Sequence, residues 1–286
     1  MLKSLRTDTS TGPDNIPVKF AKMVHEIIAS ALSSIINNCI RKSYFPKVWK
    51  MGRISPIPKV DSPVLDEHFS PISILPALSK VFEKLVAKQM SSFCEASAVL
   101  AETLSSFREG HSTSTMLMGM RDDLIKAMKK GEVTLMVLAD FSKAFDTIDF
   151  KTLILKLSSL GFSMGLLRWL SSYLTDRSHV VQIDNKVSVL ETVRLGVPQG
   201  SILGPMLFNL YVSDLKEHLP PSVASFQYAD NTTILTSCRP AELASTASKM
   251  NDTRLPQYLV KPLSPCSEFQ KDQSHPGQHK PDVPSP

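Results

Sequence analysis

No apolar run in the sequence approaches the ~20 residues that a membrane-spanning helix needs. The opening residues, MLKSLRTDTS, carry no apolar segment of the kind a secretory leader uses. Cysteine is rare: Cys39, Cys94, Cys238 and Cys266 lie far apart with no paired spacing. That excludes a disulfide framework and a structural zinc motif, and it suits a reducing compartment. The expectation is an intracellular protein, nuclear or cytoplasmic, without a membrane partner. Internal repeats are absent. Neither sign of charge dominates: 32 Lys and Arg stand against 27 Asp and Glu, a net charge of +5. A mildly basic chain permits nucleic acid as a partner without demanding it. What the sequence does have is apolar residues, 42% of 286, enough for a sizeable core.

Proline is unevenly spread. Seven of the 20 prolines fall in 251–286, where charges balance and no period of 2 or 3.6 survives. This segment is expected to be a disordered tail. The whole net charge therefore belongs to the first 250 residues. There the periodicity predicts helices over 16–39, 78–93, 114–128, 149–160, 163–174, 202–218 and, weakly, 241–250. Six prolines between 46 and 76 predict extended segments and loops. The run VTLMVLA before Asp140 predicts a strand buried on both faces. Hairpins are expected over 180–193, turning at Asp184-Asn185, and over 225–236. Strands and hairpins mixed with long helices predict an α+β fold, helices packed on one face of a mostly antiparallel sheet.

Two acidic positions draw attention. Asp140 directly follows the apolar strand. An acid there also fits a nucleotide-binding strand, but that reading needs a GxxxxGK[ST] loop, and Gly110, Gly196 and Gly200 are not followed by the lysine. Helix capping is the plainer alternative for Asp140 and Asp146. Asp230-Asn231 sits between two short apolar segments, where either residue could simply serve a turn. Brought together at adjacent strand ends, carboxylates make a magnesium site, because Mg²⁺ takes hard oxygen ligands and shares them with phosphates. Between them runs LGVPQGSILGP: Gly200 permits close backbone approach, Ser201 can cap a helix, and turn chemistry leaves Gln199 unexplained.

These segments resemble the reverse transcriptase of non-LTR (LINE-type) retrotransposons, in that family's order. TGPDNIP at Thr11 is similar to its entry motif. Trp49, then PIPK ending at Lys59, then Phe69-Ser70-Pro71-Ile72-Ser73, then KVFEK, resemble its fingers. FREGHST follows at Phe107. LADFSKAFDTID, GVPQGSILGPMLFNLYVSDL and YADN resemble palm motifs A, B and C. The resemblance runs from about Thr11 to Ser237. It implies a right-hand polymerase with fingers over 1–110, a palm with an antiparallel sheet over 111–250, and the tail over 251–286. It implies Mg²⁺ held by Asp140 and Asp230, Phe145 under the incoming sugar, Gln199 and Gly200 lining the nucleotide and template pocket, and Lys59 near the triphosphate. Its partners would be an RNA template, a DNA primer and dNTPs.

The sequence departs from the family pattern. The second acid of motif C is Asn231, a neutral ligand that binds Mg²⁺ more weakly. Ser70 stands where the family carries an arginine able to clamp phosphate bidentately. The pattern stops soon after motif C, so a further palm segment and the thumb are expected to be missing, as is a preceding endonuclease. Two readings follow: an RNA-directed DNA polymerase, or a catalytically impaired, truncated retrotransposon relic that at most binds nucleic acid. Apolar surface around the motif C hairpin is expected to stay exposed, favouring aggregation.

Overall fold

The computed structural model describes residues 1–7, 10–141, 145–184 and 186–251. The segment expected to be disordered lies, from residue 252 on, outside them, as does Asn185. Among the described residues the chain forms eight α-helices and eight strands.

The first helical stretch is two helices, α1 (Val18–Met23) and α2 (His25–Arg41), rather than one. Val24 breaks the run with ψ near 8°, and the Ile27 and Ile28 amides both bond back to its carbonyl. Next come β1 (Met51–Pro58) and β2 (Phe69–Ile74), an antiparallel hairpin in which Pro56 faces Pro71. The proline-rich stretch tolerates pairing for a geometric reason. The Lys59 amide bonds the His68 carbonyl at 2.8 Å. Counting back in alternation, Pro56–Pro71 and Pro58–Phe69 fall at pairs that exchange no hydrogen bonds. The missing proline N–H groups cost the hairpin nothing.

Helices α3 (Ala77–Ala96) and α4 (Thr113–Lys129) follow, then β3 (Val133–Asp140), α5 (Phe150–Ser159) and α6 (Met164–Leu174). Side-chain caps set three of the helix starts. Ser112 accepts from the Thr115 amide, Asp149 from the Thr152 amide at 2.8 Å, and Ser163 from the Leu166 amide. Strands β4 (Arg177–Ile183), β5 (Lys186–Val187) and β6 (Glu191–Val193) come next, Asp184 turning at φ +51°. The expected helix over 202–218 is shorter. It is α7 (Gly204–Tyr211), which stops at Val212 and continues as a 3₁₀ turn to His218. The hairpin β7 (Val223–Tyr228) and β8 (Asn231–Cys238), then α8 (Leu243–Asn251), complete the described chain.

Two sheets result. One has the order β2-β1-β4-β5 with β6 also on β4, and its β1·β4 pair is parallel. The other is the antiparallel sheet β3-β8-β7. Here the expectation of a strand buried on both faces is corrected. β3 is an edge strand, with Leu138 76% exposed and Met136 and Val137 above 40%. An apolar run reports hydrophobicity, not place in a sheet. The central, buried strand is β8, whose threonines give no apolar signal of that place.

The main core lies between α3, α5, α6 and α7. An aromatic cluster anchors it: Phe45 stacks on Phe82 (5.7 Å between centroids), Phe82 meets Trp169 edge-on (4.9 Å), and Trp169 stacks on Tyr173 (5.6 Å). Each such ring contributes about 1.5–3 kcal/mol by burial. The cluster fixes α3 against α6, and so positions the loop that precedes α7.

Candidate active site

The antiparallel register carries the acids to one end of the small sheet. Asp140, the last residue of β3, pairs with Asn231, the first of β8, and Asn231 in turn pairs with Tyr228 of β7. Ala229 and Asp230 make the two-residue turn, Ala229 in the left-handed region at φ +53°. The Phe141 amide then donates to the Asp230 carbonyl at 3.0 Å, so the ladder continues past Asp140. Neighbouring strands lie about 4.8 Å apart. Backbone pairing alone therefore brings these three positions together. Asn231 Nδ2 donates toward Asp230 Oδ1 at 3.4 Å. Asp230 is half-buried and Asn231 exposed.

The loop from Gly196 to Ser201 is stitched to both sides of this region. Gly196 donates to the Ile148 carbonyl and Val197 to the Phe145 carbonyl, both at 2.8 Å. Gln199 Nε2 donates to Asp146 Oδ2 at 3.1 Å, while the Gln199 carbonyl accepts from the Ser73 amide at 2.6 Å. Gln199 thus ties the segment after β3 to the end of β2. Both glycines are required by space and by conformation. At Gly196 (φ +81°) a Cβ would sit 2.6 Å from Asp146 Cα. At Gly200 (φ +108°) it would sit 2.6 Å from the Ser73 carbonyl oxygen. Ser201 is buried and accepts from the Gly204 amide at 3.0 Å, bracing the turn rather than capping α7, whose cap position is Leu203.

Beneath this loop lies Glu83, fully buried on α3. Its Oε2 accepts from the Ile202 amide at 2.8 Å and the Leu203 amide at 3.4 Å. Burial raises its pKa above the ordinary carboxylate value, while nearby Arg177 and the two amides oppose the rise. Arg177 is itself buried, donates to the Tyr173 carbonyl at 3.0 Å, and lies over the Tyr173 ring at 4.9 Å. Within KVFEK the family resemblance assigns Glu83 no role of its own. Its signal was a lone acid on the apolar stripe Phe82, Val86, Met90.

Phe145 is half-buried, its ring 5.0 Å from Phe208 of α7 and 6.5 Å from Phe107. Lys59 lies just beyond β1, exposed, with its ammonium on the Glu67 carbonyl at 3.4 Å. Ser70 is half-buried in β2, opposite Ile57.

A reverse transcriptase (RNA-dependent DNA polymerase) family model matches residues 57–260. The chain belongs to that family.

Among its relatives is a probable RNA-directed DNA polymerase from transposon BS of Drosophila melanogaster, 34% identical over 215 residues. That match covers 75% of this chain and 24% of the relative. The RNA-directed DNA polymerase from the mobile element jockey of the same organism is 28% identical over 254 residues, 86% of this chain and 28% of the relative. The chain thus spans about a quarter of the length of these relatives. With such matches it is a reverse transcriptase domain of the LINE type. In three dimensions it is similar to apo telomerase from Candida tropicalis, with a TM-score of 0.52 at 16% identity, covering 74% of this chain and 48% of the other. That likeness supports the fingers-and-palm fold.

The strand-end donor set is oxygen in kind, which suits magnesium. Asp230 offers a carboxylate and Asn231 an amide, so the turn is one charge poorer than two adjacent acids would be. Among the described residues no three His, Cys, Asp or Glu side chains gather into a metal cluster. No helix there is long and apolar enough to cross a membrane.

Proposed function

We propose that this reverse transcriptase domain carries out RNA-templated DNA synthesis at the β3·β8 strand ends, slowly because of Asn231. The observation that supports this most is the register itself, which sets Asp140 opposite Asn231 and next to Asp230. In the reaction a primer 3′-hydroxyl attacks the α-phosphate of a dNTP and pyrophosphate leaves. Asp140 and Asp230 are the residues that would hold Mg²⁺, which when bound supplies charge neutralisation on the phosphates and a more acidic hydroxyl. Phe145 would lie under the deoxyribose. Gly200 would line the nucleotide and template pocket through its backbone, with Gln199 holding that loop in place. Lys59 would meet the triphosphate from the fingers. Template sequence would be read by base pairing, so the protein needs backbone and shape contacts alone. We assign 1–110 to fingers and 111–250 to palm, with β4 returning to pair with β1.

A second reading, an impaired relic that only binds nucleic acid, rests on the same turn. Asn231 brings no negative charge, and Ser70 offers no bidentate phosphate clamp. Primer extension by the full chain on an RNA template with dNTPs and Mg²⁺ separates the two. Slow extension that disappears in Asp140→Ala supports the polymerase. Duplex binding without Asp140-dependent extension supports the relic.

A further inference from the structure

Phe107 has a backbone conformation that its side chain opposes. Its φ is +54°, in the left-handed region, where a bulky residue is a genuine outlier. Its ring is 51% exposed, so burial does not account for the strain. Both flanks enforce it. On one side, Gln227 of β7 donates to the Thr103 carbonyl and accepts from the Ser105 amide, at 2.9 and 3.0 Å. Ser106 next exchanges hydrogen bonds with Asn209 of α7, the Ser106 hydroxyl donating at 3.0 Å and its carbonyl accepting at 2.7 Å. On the other side, Arg108 grips Glu95 through two hydrogen bonds and the Ala101 and Leu104 carbonyls through two more. A strained residue held by so many neighbours points to use rather than accident.

What the strain achieves is a ring contact. Phe107 meets Phe145 edge-on, centroids 6.5 Å apart at 78°. Phe208, buried, meets Phe145 from the core at 5.0 Å. The three rings form a ladder from core to solvent, with Phe145 in the middle and Phe107 as its outer stop. Phe107 and Phe208 are the ring partners of Phe145 among the described residues.

We propose that Phe107 is a positioning residue for sugar discrimination: it holds the Phe145 ring against an incoming 2′-hydroxyl. This rests on the polymerase reading, in which Phe145 lies under the sugar. The mechanism is steric. A ring with supports on both sides cannot swing aside for the extra oxygen, and a ring with one support can.

The test uses the full chain with an RNA template and a DNA primer ended in a 3′-dideoxy nucleotide, so that binding is measured without chemistry. Affinities for dGTP and GTP opposite a template cytosine are compared by calorimetry. Phe107→Ala should lower the preference for dGTP about fivefold, the scale of one edge-to-face ring contact. Phe107→Tyr should keep it. Phe107→Gly should lose the preference without a lower melting temperature, because glycine accepts the left-handed backbone. That last result separates a positioning role from a structural one. An unchanged preference in Phe107→Ala, alongside a collapsed one in Phe145→Ala, would overturn the inference alone. A parent chain that binds neither nucleotide on the duplex would overturn the polymerase reading and this inference with it.

Discussion

Asp140 and Asn231 face each other where the paired strands β3 and β8 end and begin. The pairing places a residue with no negative charge directly beside a strand-end acid. Asn231→Asp should therefore raise the rate of Mg²⁺-dependent primer extension roughly a hundredfold, if the added carboxylate supplies ~3 kcal/mol in the transition state. Single-turnover extension measures it. Asp230→Asn should abolish extension in either background. Adding Ser70→Arg should act mainly on dNTP affinity, by giving the triphosphate a bidentate partner.

Gly200 and the Ser73 carbonyl leave no room for a methyl group. Gly200→Ala adds a positive-φ penalty to a clash with backbone, and should cost about 2–3 kcal/mol. Urea denaturation should show a lower midpoint with an unchanged slope. The Gln199 carbonyl should lose its hold on the Ser73 amide, seen as faster hydrogen exchange at that amide.

Glu83 answers two amides of the loop before α7. Glu83→Ala should cost about 2–4 kcal/mol, because it leaves two amides of a packed loop without their acceptor. Glu83→Gln keeps an acceptor and should cost much less.

The same residue gives a pH dependence with a definite sign. Its folded-state pKa is raised by burial above the ordinary 4.5. The folded state then holds a proton that the unfolded state has already lost. Stability should fall as pH rises from about 4.5 through the raised value. Melting curves of the parent against Glu83→Gln across pH 4 to 8 should diverge in that direction, the parent losing more.

Leu138, on the exposed edge strand β3, is 76% accessible. An apolar edge with unpaired backbone groups invites strand addition by another chain. Leu138→Lys should reduce aggregation in light scattering and change the stability by less than about 0.5 kcal/mol.

Much of the architecture was legible in the residues. Helices α3 to α6 follow from their periodicity and from Ser112, Asp149 and Ser163, which cap locally. The hairpin at Asp230 follows from two short apolar segments on either side of a turn. Other features were not legible. The strand VTLMVLA reads as central, yet lies at an edge, because the threonine-rich β8 takes the middle. Val24 divides a helix whose apolar spacing runs straight through it.

The sequence by itself determined the family, the order of the motifs and the presence of Asn231 beside Asp230, because those are chemical identities at fixed spacings. Tertiary structure alone decided which of them meet. Gln199 joins Asp146 to Ser73, Glu83 lies under Ile202, and Phe107 stands beside Phe145, across separations of tens of residues or more. Such pairings depend on strand register and on the close packing of distant segments, and no local pattern of residues encodes either.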